Sequence, residues 1–240
     1  MILPTKKTKP KQNFEEYTTL IYGAPKTGKS TLASQFNNAL FLATEMGLNS
    51  LETYNVTIDS WQSFLEACSE IAKGEHNFKT IIIDTVDNLY DFCSVFICKR
   101  YNVQYEGDLD WGKGYKFVKD EFLRAINKLT SLPYGVVLIS HVELIEIKTP
   151  VSKTNKYTPS ISKRVREDLL GLCDFVFFCD IEHTEDGDKR ILITKPADLI
   201  TAGDRTGKFP ARIDMSYSAI KNNFEKALKG DTKWANLKIF

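Results

Sequence analysis

Eight consecutive residues, Gly23-Ala24-Pro25-Lys26-Thr27-Gly28-Lys29-Ser30, carry the densest chemistry in the chain. Glycines at the first and sixth positions let a loop curl so that backbone N–H groups cradle an anion, and a lysine followed by a hydroxyl adds a long cation and an oxygen ligand. The spacing suits a nucleoside triphosphate with a divalent cation. Lys29 reaches the β and γ phosphates, Ser30 offers its hydroxyl to magnesium, and Ala24, Pro25, Lys26, Thr27 and Thr31 complete the cradle. Magnesium also needs a carboxylate, and Asp84 ends the apolar run Thr80-Ile-Ile-Ile-Asp84. Hydrolysis needs one more group, to orient or deprotonate the attacking water. Thr85, not a glutamate, follows Asp84, so the role passes to Glu45 at the end of Ala39-Leu-Phe-Leu-Ala-Thr-Glu45. The alternative for Glu45 is an exposed loop carboxylate. Asp87 reads as a cap of the following helix rather than a metal ligand.

These residues must be placed by strands and helices. Thr18 to Tyr22 is a short β-prone run ending in glycine, and Ser30 to Phe36 starts a helix, giving strand, loop, helix. Further strands are expected at Ala39–Ala43, Thr80–Asp84, Gly135–Ser140, Asp174–Cys179 and Arg190–Thr194, with helical spacing at Ser60–Lys73, Asn88–Tyr101, Tyr115–Leu129 and Ile161–Leu170. The apolar run ending at Asp84 suits a parallel strand covered on both faces. Glu185-Asp-Gly-Asp188 reads as a hairpin turn. Alternation of strands and helices implies an α/β fold of the P-loop NTPase class: a mainly parallel sheet, helices on both faces, and an antiparallel C-terminal hairpin.

A chain of 240 residues with 42% hydrophobic and 26% charged residues supports one globular core. The expected organisation is a basic N-terminal tail at 1–17, the ATPase core at 18–214, and a C-terminal helix (Ser216 to Lys229) and tail at 215–240. No run of about 18 apolar residues is present, and the lysine-rich N-terminus lacks a signal-peptide core, so the expectation is a cytoplasmic protein with no membrane partner. Five cysteines without a C-x-x-C pair support neither a disulfide framework nor a zinc site and read as buried small hydrophobes. The net charge is +1, but Lys6, Lys7, Lys9 and Lys11 form an acid-free tail. Lys148, Lys153, Lys156, Lys163, Arg164 and Arg166 face only Glu146 across residues 146–166. Those two segments could contact a polyanion.

The P-loop, a glutamate just after the second strand, and Ile83-Asp84-Thr85 in place of Asp-Glu together resemble the RecA-type recombinase ATPases. More closely, the chain is similar to the phage-encoded nucleotide-binding proteins of the minimal RecA-core group, the Sak-four single-strand annealing proteins, over about residues 18 to 214. The resemblance implies a RecA-like core, ATP and Mg2+ as cofactors, and single-stranded DNA as partner in phage recombination or annealing, in the host cytoplasm. It places Ser140-His141 where that family senses the γ phosphate, with His141 the candidate sensor. It places the DNA loop at Glu143 to Ser160, where Lys148, Lys153 and Lys156 would neutralise phosphates and Tyr157 would stack on a base. It further implies a homo-oligomer with shared nucleotide sites, in which Lys195 or Arg205, the latter in Gly203-Asp-Arg-Thr-Gly207, acts on a neighbour's nucleotide, alongside a single-strand-binding or replication protein. A solvated basic loop and plain surface cations are the alternatives. The chain shows neither the N-terminal polymerisation segment nor the large C-terminal domain of full RecA, so ATP-regulated strand binding or annealing is expected rather than strand exchange. The competing function is a nucleotide-driven loader, packaging motor or switch acting on a protein partner.

Overall fold

The computed structural model describes the chain apart from Met1, Ile2, Pro4, Thr8, 149–152, Asp186 and 230–240, and does not describe the side chain of Lys148. The strands are β1 (Thr18–Gly23), β2 (Ala39–Ala43), β3 (Tyr54–Thr57), β4 (Thr80–Asp84), β5 (Gly135–Lys148), β6 (Lys153–Pro159), β7 (Phe175–Thr184), β8 (Gly187–Ile193), β9 (Gly203–Asp204) and β10 (Arg212–Asp214). The helices are α1 (Lys29–Ala33), α2 (Trp61–Lys73), α3 (Val86–Arg100), α4 (Lys113–Thr130), α5 (Lys163–Leu172) and α6 (Tyr217–Lys229). The main sheet runs β10-β8-β7-β1-β5-β4-β2-β3. From β7 through β3 every pairing is parallel, while β8, β9 and β10 add antiparallel pairings at one side.

Successive side chains of a strand point to opposite faces, so each central strand feeds two cores. Leu20, Tyr22, Ile81, Ile83, Val136 and Leu138 pack on one face against α2, α3, α4 and α5. Ile21, Phe41, Ile82, Val137 and Ile139 pack on the other against α1 and α6. Full burial of such side chains stabilises by about 1.5–3 kcal/mol each. The core crosses both expected domain boundaries: Phe14 is 2% exposed, with its ring 4.9 Å from that of Phe175, and α6 buries Ile220, Phe224 and Ala227. Four cysteines are buried, Cys68 is half-buried, and all five are free. Among the described residues no helix is long and apolar enough to cross a membrane.

Local signals account for much of this. In α2, Ser60 caps the N-terminus by accepting from the Ser63 N–H, Gly74 ends the helix in the left-handed region (φ 73°), and Trp61, Phe64 and Ile71 form the buried stripe. Several elements differ from the sequence reading, the short strands β9 and β10 among them. Edge strand β3 was not expected: it is only four residues long, and the alternation of Tyr54 and Val56 with polar neighbours is too short to stand out. Within the segment Glu143 to Ser160, expected as a loop, β5 runs on from the sheet and pairs antiparallel with β6.

Candidate nucleotide site

The four central parallel strands end on one edge, and there the expected residues meet. Gly23 ends β1, and the loop Ala24 to Gly28 leads into α1. Gly23 is required by close approach, since a Cβ there would lie 2.7 Å from the Cys179 carbonyl oxygen of β7. Gly28 is required by its backbone, which is left-handed (φ 100°). Thr27 and Lys29 are buried, Ala24, Pro25, Lys26 and Thr31 are exposed, and Thr27 Oγ1 donates to the Ala24 carbonyl at 2.9 Å. Lys29 Nζ donates to the Gly23 and Ala24 carbonyls at 3.0 and 2.9 Å, so its ammonium lies inside the loop's mouth. Burial lowers the Lys29 pKa, against the attraction of Asp84 and Glu45.

Asp84 ends β4 between Ala43 of β2 and Ile139 of β5, and is 2% exposed. Ser30 Oγ donates to Asp84 Oδ2 at 2.6 Å, while Oδ1 is buried with no hydrogen-bond partner. Burial pushes the Asp84 carboxyl above its ordinary range, against the hydrogen bond from Ser30. An orphaned carboxylate oxygen beside a hydroxyl is the hard oxygen donor set that magnesium takes, with phosphate and water completing its shell. Among the described residues no cluster of three or more His, Cys, Asp or Glu could hold a metal ion.

Glu45 follows β2 directly after Thr44, whose N–H donates to the Asp84 carbonyl at 2.8 Å. Asn88 Nδ2 donates to Glu45 Oε2 at 3.4 Å, and the same oxygen lies 3.9 Å from His141 Nε2. His141 pairs in register with Gly23, which places it beside the P-loop. Asp87 is not a helix cap. Thr85 occupies the cap position, and Asp87 Oδ2 turns away to accept from the His141 N–H (3.0 Å), His141 Nδ1 (2.7 Å) and Ser160 Oγ (3.0 Å).

The remaining expected residues fall elsewhere. Lys195 and Arg205 lie toward the opposite edge of the sheet from their own P-loop, near the start of β7, where Asp204 pairs with Phe175. Lys195 Nζ is 3.3 Å from Asp204 Oδ2, and Arg205 binds Asp174 (3.2 Å) and the Gly171 and Cys173 carbonyls (2.7 and 3.2 Å). They are therefore not part of this chain's own site. On the hairpin, the direct pairs Leu144–Tyr157 and Glu146–Asn155 share one face with Lys153, whereas Ile145–Lys156 lies on the other. The expected DNA-contacting set is thus split by the strand period. Lys148 pairs with Lys153 in register, but its side chain lies outside the described residues. Tyr157 is 41% exposed, and its ring packs 5.6 Å from that of Phe178 at 19°.

Sequence reasoning missed Asn88, Ser160 and Arg190. Arg190 of β8 pairs with Ile181, two residues beyond the level of Gly23, and its Nη1 lies 3.5 Å from where a Gly28 Cβ would stand. Asp84, Glu45 and His141 flank the P-loop through β5, β4 and β2, so Arg190 approaches from the other flank. No spacing rule finds it, because register across two strands places it there. Asn88 and Asp87 carried a weak signal, being polar residues on the first helical turn after Asp84.

A family model described as an AAA domain matches residues 15–206. The SPbeta prophage-derived uncharacterized protein YorG of Bacillus subtilis (strain 168) is 26% identical over 178 residues, 72% of this chain. The chain spans about half, 53%, of that relative's length. Among solved structures, the KaiC-like protein PH0186 of Pyrococcus horikoshii OT3 matches 75% of this chain and 78% of its own at 15% identity, with a TM-score of 0.43.

Proposed function

We propose that this chain, which belongs to the AAA domain family, is a magnesium-dependent ATP hydrolase that couples turnover to single-stranded DNA in phage recombination or annealing. What carries the reading is the convergence of Lys29, the Ser30–Asp84 hydrogen bond with its orphaned carboxylate oxygen, and Glu45 at neighbouring strand ends. Lys29 exchanges its two carbonyl partners for phosphate oxygens. Ser30 and Asp84 would hold magnesium, which when bound would supply positive charge to neutralise the phosphates. Glu45 takes a proton from the water whose oxygen attacks the γ phosphorus, and the bond to the β–γ bridging oxygen breaks in line, releasing ADP and phosphate. Adenine is chosen by family likeness, together with the lack of a guanine-reading Asn-Lys-x-Asp motif in the sequence. DNA lies along the β5–β6 hairpin, which leaves the sheet directly after His141. Lys195 or Arg205 of one copy serves the next copy's nucleotide in a homo-oligomer.

The test is ATP turnover of the purified protein with and without a single-stranded oligonucleotide, with Lys29→Ala as the blank. Turnover that falls about 100-fold or more in the blank and rises with DNA supports the proposal. Turnover indifferent to DNA favours a loader, motor or switch acting on a protein. That second reading draws on Trp111, which is 96% exposed on a left-handed backbone (φ 58°) and so presents an aromatic ring to a partner.

A further inference from the structure

We propose that Asp87 is a positioning residue that joins the base of the β5–β6 hairpin to Glu45, so that the nucleotide site and the hairpin report on one another. The inference rests on the hydrolytic reading of Glu45. A single oxygen, Asp87 Oδ2, accepts three hydrogen bonds: two from His141, through its backbone N–H and ring Nδ1, and one from the Ser160 hydroxyl. The side chain is only 14% exposed, so the carboxylate must find its partners within the protein. With Nδ1 engaged, the His141 ring is oriented and its Nε2 faces Glu45 Oε2 at 3.9 Å. The adjacent residue on the helix, Asn88, donates to that same Glu45 oxygen at 3.4 Å. Of these two neighbours on the first turn of α3, Asn88 touches Glu45 directly, and Asp87 reaches it through the His141 ring.

The other end of the joint is the hairpin. Ser160 follows β6, and its N–H donates to the His141 carbonyl at 2.9 Å, closing the hairpin where β5 leaves the sheet. Any movement of Glu45 toward a phosphate-bound water changes what His141 Nε2 faces. The ring cannot turn without disturbing its bond to Asp87, which also holds Ser160. The second oxygen, Asp87 Oδ1, is buried without a partner, so the joint contains a second acceptor to which the Ser160 or His141 donor can transfer. A shared carboxylate with one oxygen saturated and one open has two discrete arrangements, which is what coupling between sites needs.

The experiment is hydrogen exchange on the full chain, with and without magnesium and the slowly hydrolysed analogue AMP-PNP, for wild type, Asp87→Asn, Ser160→Ala and Ser160→Thr. Nucleotide affinity and ATP turnover are measured on the same samples. The nucleotide is expected to change amide protection in 142–147 and 154–158 by about fivefold or more in wild type and in Ser160→Thr, and not in the other two. Asp87→Asn lowers kcat about tenfold at unchanged KM. The proposal is overturned if wild type binds the nucleotide without a hairpin response, or if Asp87→Asn and Ser160→Ala respond as wild type does. Failure of wild type to bind nucleotide at all overturns the P-loop reading itself, and this proposal with it.

Discussion

Asp84 carries a cost in the folded chain. Its carboxyl is buried with one oxygen unpaired, and burial raises its pKa, so the folded state holds the proton more tightly than the unfolded state. Its contribution to stability is therefore greatest at low pH and declines as pH rises from the ordinary carboxylate range through the raised value. Asp84→Asn should stabilise the protein at neutral pH, in the absence of magnesium and nucleotide, by about 0.5–2 kcal/mol, flatten that pH dependence, and abolish magnesium-supported hydrolysis. Urea unfolding across pH checks the first two. Arg190 acts on the other flank of the P-loop. Arg190→Ala should weaken ATP and ADP alike by about tenfold, near 1.4 kcal/mol, with kcat unchanged, because a cation beside Gly28 faces the part of the nucleotide common to both. Titration with a fluorescent nucleotide measures it, and an effect confined to ATP would place Arg190 at the γ phosphate instead.

At the scale of elements, the hairpin decides which of its basic residues can share a ligand. Lys153 and Tyr157 lie on the face with Leu144, which is 53% exposed, and Lys156 on the opposite and less exposed face. A strand of DNA bound along the aromatic face meets Lys153 and not Lys156. Lys153→Gln should then reduce the salt slope of oligonucleotide binding by about one, and Lys156→Gln should leave it unchanged. Equal loss in both variants would mean that the hairpin is gripped from two sides.

For the whole molecule, the sheet separates the nucleotide site from Lys195 and Arg205, so one chain cannot bring them together. If they act, they act on a neighbour. Mixing Lys29→Ala with Lys195→Ala should restore turnover that neither variant shows alone, since one supplies an intact cation and the other an intact P-loop. A mixture no more active than the sum of its parts would remove Lys195 from catalysis and leave it as the partner of Asp204.

The P-loop, the strand ending in Asp84 and the α/β alternation were legible in the sequence because each is encoded by local spacing: glycine positions, a lysine beside a hydroxyl, and buried apolar runs. Glu45 could be named because it directly follows a recognisable strand. The hairpin was hidden because β6 is mostly polar on both of its faces, and β3 because its alternation spans only four residues. Arg190 beside Gly28, and Asp87 turned from the helix end toward His141 and Ser160, were decided by the tertiary structure alone. Their positions follow from register between strands and helices far apart in the chain, and register is set by the packing of the whole sheet rather than by any local run of residues.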